Sequence, residues 1–424
     1  MMKRLAGGAL ITWMALHVSH AQTTRDTFDL QIRPLTSPAA ATSGEPQLSV
    51  SSRGVLLSWI ERNGPQATLK FAERTTAGWS APRVVATGAN WFVNWADVPS
   101  VFRLDDGTLA AHWLQKSGPG TYAYDVRLSH SGDDGKTWSP SFTPHRDGTK
   151  TEHGFASLFQ MPGAGLGLVW LDGRAMRPEP HTEAAMTSGT MTGGAMTLRS
   201  ATFDRRWKQT SETPVDLRVC ECCPTTVAVT SEGPIVAFRN RTEDEIRDIY
   251  VSRLEGNQWS EAKAVYNDGW HITGCPVNGP MLSARGRDVA VAWFTAKAAQ
   301  GQVFVAFSKD AGRTFAPPIR VDDGASLGRV DVELLTDGGA AALWVEQATS
   351  GAEVRVRRID PSGARSNAVT LAGISSARSS GYPRLARYGN ELVFAWTAVA
   401  SGAASDGGLR VQTAVAPLPG AASR

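Results

Sequence analysis

Four cysteines fall in one stretch of the chain, three as Cys220-Glu-Cys222-Cys223-Pro and the fourth in Trp270-His271-Ile-Thr-Gly-Cys275-Pro. Thiols clustered in this way admit two chemistries. In an oxidising compartment an even number of cysteines pairs as disulfides. Cys222 or Cys223 would then bond Cys275, and the other pair would close locally. That local bridge would be strained, because Cys-x-Cys and vicinal pairs fit disulfide geometry poorly, and strained bridges are readily reduced. Alternatively the thiolates ligate a metal, with His271 and His153 as further ligands. A segment carrying Met176, His181, Met186, Met191 and Met196 among Thr and Gly leads up to the cysteines. Thioether, thiolate and imidazole together select Cu(I) over hard cations, so copper is the metal expected. Without a metal, the same segment reads as a lid whose methionines cover apolar surface.

The elements that must position these residues are legible as a repeat. A short apolar strand, a turn, and an apolar strand ending in an aromatic recur seven times, the aromatics being Trp59, Trp113, Trp170, Phe238, Trp293, Trp344 and Trp396. A second hairpin follows each, near Leu69, Val126, Leu198, Ile249, Val303, Val354 and Leu409. Apolar and polar residues alternate in these hairpins, as half-buried strands require. Four strands repeating at roughly 50 residues predict an all-β propeller, here a single ring of seven blades, with six as the alternative. The last blade lacks its fourth strand, and Phe28-Asp-Leu-Gln-Ile-Arg-Pro near the other end supplies one. Pairing the two would close the ring and leave no open edge.

In such a ring the first strand of each blade starts at the mouth of the central channel, so residues just ahead of it face the place where a ligand would sit. A ruler through Pro46, Pro99, Ala156, Pro224, Pro276, Arg329 and Pro383 puts Cys223 and Cys275 at equivalent positions of blades 4 and 5. Second strands return to the same face, bringing Glu61, Arg62, Asp172, Arg174, Arg239, Arg241 and Glu346.

Two of the second hairpins share Ser-x-Asp-x-Gly-x-Thr-aromatic. One carries Ser131, Asp133, Gly135 and Trp138; the other carries Ser308, Asp310, Gly312 and Phe315. The carboxylate can accept turn amides, Gly takes the φ > 0 position, and the aromatic packs back between sheets. These resemble Asp-boxes, also called bacterial neuraminidase repeats, and the chain resembles the sialidase-like propeller superfamily over nearly all of residues 22–424. That resemblance implies Tyr382 as nucleophile, Asp97 as acid/base, and Arg239, Arg241 and Arg329 binding an acidic sugar. Such an enzyme would act as an exo-glycoside hydrolase. A propeller of this kind can equally be a non-catalytic glycan- or protein-binding module. The chain departs from the family at Gly44, where the family's first blade has Arg, and in counting seven blades rather than six.

Lys3 and Arg4 ahead of an apolar run to Val18, with Ser19-His20-Ala21 before Gln22, read as a cleavable signal peptide over residues 1–21. A periplasmic or secreted protein is expected, with a small ligand, glycan or metal at the central mouth. A net charge of +3 on 424 residues, without a Lys/Arg run, argues against nucleic acid, and no later apolar segment is long enough to span a bilayer. Gly163-Ala-Gly-Leu-Gly167 sits in a turn and is no phosphate loop, and neither Gly-x-Ser-x-Gly nor His-Glu-x-x-His occurs. The charged loop 242–248 is expected to be solvated, with Glu243 or Glu245 available to a site. His112 is expected in the core and His145 in an exposed loop.

Overall fold

The computed structural model describes residues 28–176, 194–399 and 408–419. Its strands form seven antiparallel sheets. Blade 3 is a representative blade: His153–Met161, Gly165–Asp172, Thr197–Phe203 and Gln209–Asp216 pair in sequence order from the channel outward. In blades 1 and 4 the outermost strand is split in two, and in blade 2 it shrinks to a bridge between Leu128 and Phe142. Blade 7 takes its outermost strand from Arg33–Leu35, which pairs with Leu409–Pro417. The ring is therefore closed by the beginning of the described chain, as the sequence led us to expect.

Apolar side chains form seven buried clusters, one in each seam between neighbouring blades. Each strand-ending aromatic sits in the seam between its own blade and the one before. Trp59 packs with Val393 and Val411 of blade 7, Trp170 with Leu114 and Val126 of blade 2, and Trp344 with Val303 and Val305 of blade 5. The second strands that carry them are buried on both faces; every residue of Gly165–Asp172 is inaccessible. Three of the indoles also capture an acid two residues on. Trp59 Nε1 donates to Glu61 at 2.9 Å, Trp170 Nε1 to Asp172 at 2.8 Å, and Trp344 Nε1 to Glu346. These acids reach the mouth face but are committed to their own blades.

The two Ser-x-Asp-x-Gly-x-Thr hairpins are built alike. Ser131 Oγ donates to Asp133 at 2.8 Å and accepts the Gly135 amide at 2.8 Å; Thr137 N and Oγ1 both donate to Asp133. Ser308, Asp310, Gly312 and Thr314 repeat the same bonds. Gly135 has φ 80°, and a Cβ there would stand 2.5 Å from Phe71 Cζ, so the residue is required both for its backbone and for its lack of a side chain. Trp138 then meets Phe71 edge-on at 6.2 Å, tying blade 2 to blade 1.

Truncating a fully enclosed wedge removes contacts from two blades at once. Trp344→Ala should cost about 3–5 kcal/mol in urea-induced unfolding. The half-buried Trp396→Ala should cost clearly less.

Candidate functional site

The mouth of the channel between blades 4 and 5 gathers the cysteines. Cys220 follows directly on the antiparallel bridge Val219–Asn240, and its amide donates to Arg239 O at 2.9 Å, which fixes the start of the Cys-Glu-Cys-Cys loop against the end of Gly233–Arg239. The tight loop turns three thiols inward: Cys220 Sγ lies 3.4 Å from Cys223 Sγ and 3.8 Å from Cys222 Sγ. All three sulfurs fit within 4.8 Å of one another. Cys275 arrives from the connection between blades 4 and 5 and lies beside Cys222, outside that group of three. No two sulfurs are bonded: Cys220 and Cys223 are buried thiols, Cys222 is half-buried and Cys275 is exposed.

The alignment of Cys223 with Cys275 needs correction. Blade 2 starts at Ser100 and blade 5 at Met281, so Pro280 is the counterpart of Pro99. Side-chain bonding confirms this register. Asp97 Oδ1 accepts the amide of Phe155, φ 50°, in the next blade at 2.7 Å. Asn278 Oδ1 accepts that of Arg329, φ 52°, at 2.8 Å. Cys275 therefore lies in the loop leading to blade 5, outside the repeat, and reaches Cys222 because that loop folds over blade 4.

Around the thiols stands a cage of opposite charges. Arg247, almost inaccessible, donates to Cys220 Sγ at 3.2 Å, to Glu221 at 3.0 Å and to Glu245 at 2.9 Å. Arg241 bonds Glu245 at 3.0 Å and also Glu221. The loop 242–248, expected to be solvated, instead folds beneath the cysteines, and only its tip, Glu243 and Asp244, extends into solvent. Burial pushes the Cys220 thiol up to about 11 and Cys222 well above the usual thiol range. At Cys223 burial opposes ionisation too, but hydrogen bonds from Cys220 and Cys222, the Arg239 guanidinium and the Asn278 amide outweigh it and hold this thiol well below its usual range. The cluster thus stabilises one thiolate, supported by two neighbouring thiols.

Beside it lies a second acidic group, buried Asp97 and half-buried Glu152. Tyr124 Oη is 3.1 Å from Asp97 Oδ2 and 2.7 Å from Glu152 Oε1. One phenol carries one proton, so at least one of these two contacts requires a protonated carboxyl. Burial pushes Asp97 up to about 7 and Glu152 up to about 8. Gly154 makes room, since a Cβ there would collide with Asp97 Oδ2. Further down, the channel holds a cavity of about 210 Å³ lined by Asp97, Asp331, Glu333 and Arg384 among apolar and hydroxyl side chains.

The residues implied by the sialidase resemblance are present but otherwise engaged. Tyr382 is buried, stacks on Trp95 at 5.7 Å, and donates its hydroxyl to Val277 O at 2.6 Å; burial raises its phenol far above the usual range. It braces the Cys275 loop, with no carboxylate partner to activate it. Arg239 spends its guanidinium on the carbonyls of Asn278, Arg247 and Phe294. Arg329 does the same with Ser376 and Ala377 and lies over Trp95. The three arginines therefore do not converge on one anion. Where a side chain on Gly44 would project, Arg62 Nη1 lies 3.5 Å away, its guanidinium held by Glu45.

Of the other expected metal ligands, His271 is exposed and bridged through its backbone to Ile246, and Met196 is enclosed in the blade 3–4 core. His153 stands among carboxylates and stacks on His145, which is buried rather than exposed. Met186 and Met191 lie outside the described residues. His112 is a core residue bonded to Ser100, with burial lowering its pKa to about 4. Sequence reasoning missed Tyr124, Glu152, Glu221 and Arg247; only Glu221, inside the cysteine motif, offered a signal.

Neither a protein-family model nor a curated protein matches the sequence. Among solved structures, a protein of unknown function from Dyadobacter fermentans aligns over 91% of this chain and 97% of its own at 13% identity, TM-score 0.51. The polysaccharide lyase Uly1 aligns over 88% and 90% at 10% identity, TM-score 0.52. The NanB sialidase of Streptococcus pneumoniae aligns over 91% and 94% at 10% identity, TM-score 0.44. The first two are alike in fold. At such identities no activity follows, and among the described residues no helix is long and apolar enough to cross a membrane.

The buried acids set a pH dependence. Asp97, near 7, and Glu333, near 8, are raised by burial above their ordinary values of 3.8 and 4.5. The folded state then binds more protons than the unfolded one between those limits. Their contribution to stability is complete below about pH 4 and is lost as pH rises to about 8. Tm should fall from pH 5 to pH 8.5, and Glu333→Gln should flatten that slope; an unchanged slope would refute the assignment.

Proposed function

We propose that this chain is an exported propeller whose mouth binds a soft metal ion, Cu(I), on Cys220, Cys222, Cys223 and Cys275. The observation that carries the reading is the convergence of three unbonded thiols of one loop, with sulfur separations of 3.4 and 3.8 Å around a stabilised thiolate, and with Cys275 of the next connection beside Cys222 as the fourth. Thiolates are the ligands Cu(I) prefers, and a site assembled without imidazole or carboxylate donors rejects hard cations. Buried Arg239 and Arg247 offset the negative charge that a thiolate-bound monovalent ion retains. Export, read from residues 1–21, would place the protein where unprotected thiols oxidise, and bound metal would protect them.

The same geometry supports a second reading, in which the cysteines pair. Cys220 adjoins Cys223 and Cys222 adjoins Cys275, so the four divide into one local and one inter-blade pair. The sialidase-like alternative, with Tyr382, Asp97 and the arginines on an acidic sugar, needs those side chains released from the backbone groups, and Arg241 from the carboxylates, that they now bond. A purely glycan- or protein-binding propeller has no observation in its favour over these.

Protein reduced and supplied anaerobically with Cu(I) should retain stoichiometric copper after desalting. Cys222→Ser should abolish retention, and Tyr382→Phe should leave it nearly intact. Native protein with no titratable thiols and two mapped disulfides, refractory to mild reductant, would replace the metal reading with the disulfide one.

A further inference from the structure

Away from the cysteines, the seam between blades 2 and 3 holds a buried His/Asp group that no part of the proposed function uses. Asp125 comes from Tyr124–Ser131, His145 and Asp147 from the connection that follows, and His153 opens His153–Met161. Asp172 ends the second strand of blade 3, with Arg174 just beyond. Asp125 Oδ1 lies 3.4 Å from His153 Nδ1 and 3.9 Å from His145 Nε2. The opposite ring nitrogens both face Asp147 Oδ2, His145 Nδ1 at 3.3 Å and His153 Nε2 at 3.2 Å. His153 is wholly inaccessible and His145 only 5% exposed, yet both His153 nitrogens, His145 Nε2, Asp125 Oδ1 and Asp147 Oδ2 lack a hydrogen-bond partner. Buried polar atoms are rarely left so; Asp147 Oδ2 at least faces Arg174, and the three at the other end, Asp125 Oδ1, His153 Nδ1 and His145 Nε2, point to a missing ligand.

The two ends of the group differ. Asp147 and Asp172 share Arg174, whose Nη2 is 3.3 Å from one and 2.7 Å from the other, so that end already holds its cation. Among the described residues no Lys or Arg forms an ion pair with Asp125, whose ion-pair contacts are the two imidazoles. We propose that Asp125, His145 and His153 bind a borderline divalent cation, Zn²⁺ by preference, at that end. Two imidazoles and one carboxylate are a recurrent zinc set, too nitrogen-rich for Ca²⁺ or Mg²⁺ and too hard for Cu(I). Tetrahedral bonds of about 2.0–2.2 Å place donors about 3.3 Å apart, close to the Asp125–His153 spacing. Asp147 then plays the outer part: it receives the second N–H of both ligating rings, orients them and fixes their tautomers. The rings now stack at 3.8 Å with 6° between planes. A metal lies in the plane of each imidazole, so loading tilts them apart. The half-buried Asp125 leaves one side of the site open to water as the fourth ligand.

The site shares no residue with the thiol cluster and can be tested without it. The full chain with all four cysteines changed to Ser, stripped with chelator and dialysed against Zn²⁺, should retain stoichiometric zinc by elemental analysis. His145→Ala in that background should lose it, and Asp147→Asn should weaken it about 10- to 100-fold. Circular dichroism would verify that each variant is folded. Should the Ser variant fail to fold, Co²⁺ loading of the native chain with and without His145→Ala separates the sites: both give visible d–d bands, the cysteines alone add sulfur-to-metal charge transfer in the near ultraviolet, and His145→Ala should remove d–d intensity while leaving that charge transfer unchanged. Folded protein that takes up no zinc or cobalt outside the cysteines, or that holds zinc equally well after His145→Ala, overturns the proposal. In that event His153 is an imidazolium between Asp125 and Asp147.

Discussion

Each blade presents an apolar face to both of its neighbours, and the aromatic at the end of its second strand is pressed against the blade before it. No blade can bury those faces alone, so the seven seams and the closing strand Arg33–Leu35 stand or fall together. The same packing aims the chemistry. Once Trp59, Trp170 and Trp344 are seated, the strand ends they belong to are fixed at the mouth, and the loops that follow start from rigid points. Positive-φ residues at Glu45, Phe155, Val277 and Arg329 turn the chain into or towards the first strands of blades 1, 3, 5 and 6. In two of those blades the turn is held by an acid or amide of the preceding blade, Asp97 or Asn278.

On that frame the thiol cluster is an electrostatic problem with a visible solution. Burying a thiolate is costly unless opposite charge is close. Arg247 and Arg239 supply that charge, and Glu221 and Glu245 bridge Arg247 to Arg241 so that those two guanidiniums do not repel. Two of the three arginines that the sialidase resemblance marked as sugar ligands, Arg239 and Arg241, are in fact part of this support. Arg239 pins three backbone carbonyls in blades 4 and 5, and Arg241 shares both acids with Arg247. Residue types typical of an acidic-sugar site have been used to hold a sulfur site.

How much of this was legible in the sequence follows from what each feature depends on. The blades were readable because a propeller's period is written in every copy, and ring closure followed from the one missing strand. The hairpins around Asp133 and Asp310 were readable because their bonds are local. The convergence of Cys220, Cys222 and Cys223 was also local. Cys275 was given the right neighbour for the wrong reason, since it lies outside the repeat. His145 and His153, or Tyr124 with Asp97 and Glu152, are brought together only by the path of loops between blades. Nothing in their spacing announces a meeting. The arginines misled because residue type fits both an anion site and a scaffold, and only the bonds actually made tell them apart.

The central claim is that the four sulfurs at the mouth are a metal site. X-ray absorption at the copper edge, on protein loaded anaerobically with Cu(I), examines it most directly. An all-sulfur shell around Cu(I) that collapses on Cys222→Ser is the predicted result. A nitrogen/oxygen shell, or the absence of bound copper from reduced and folded protein, would contradict it.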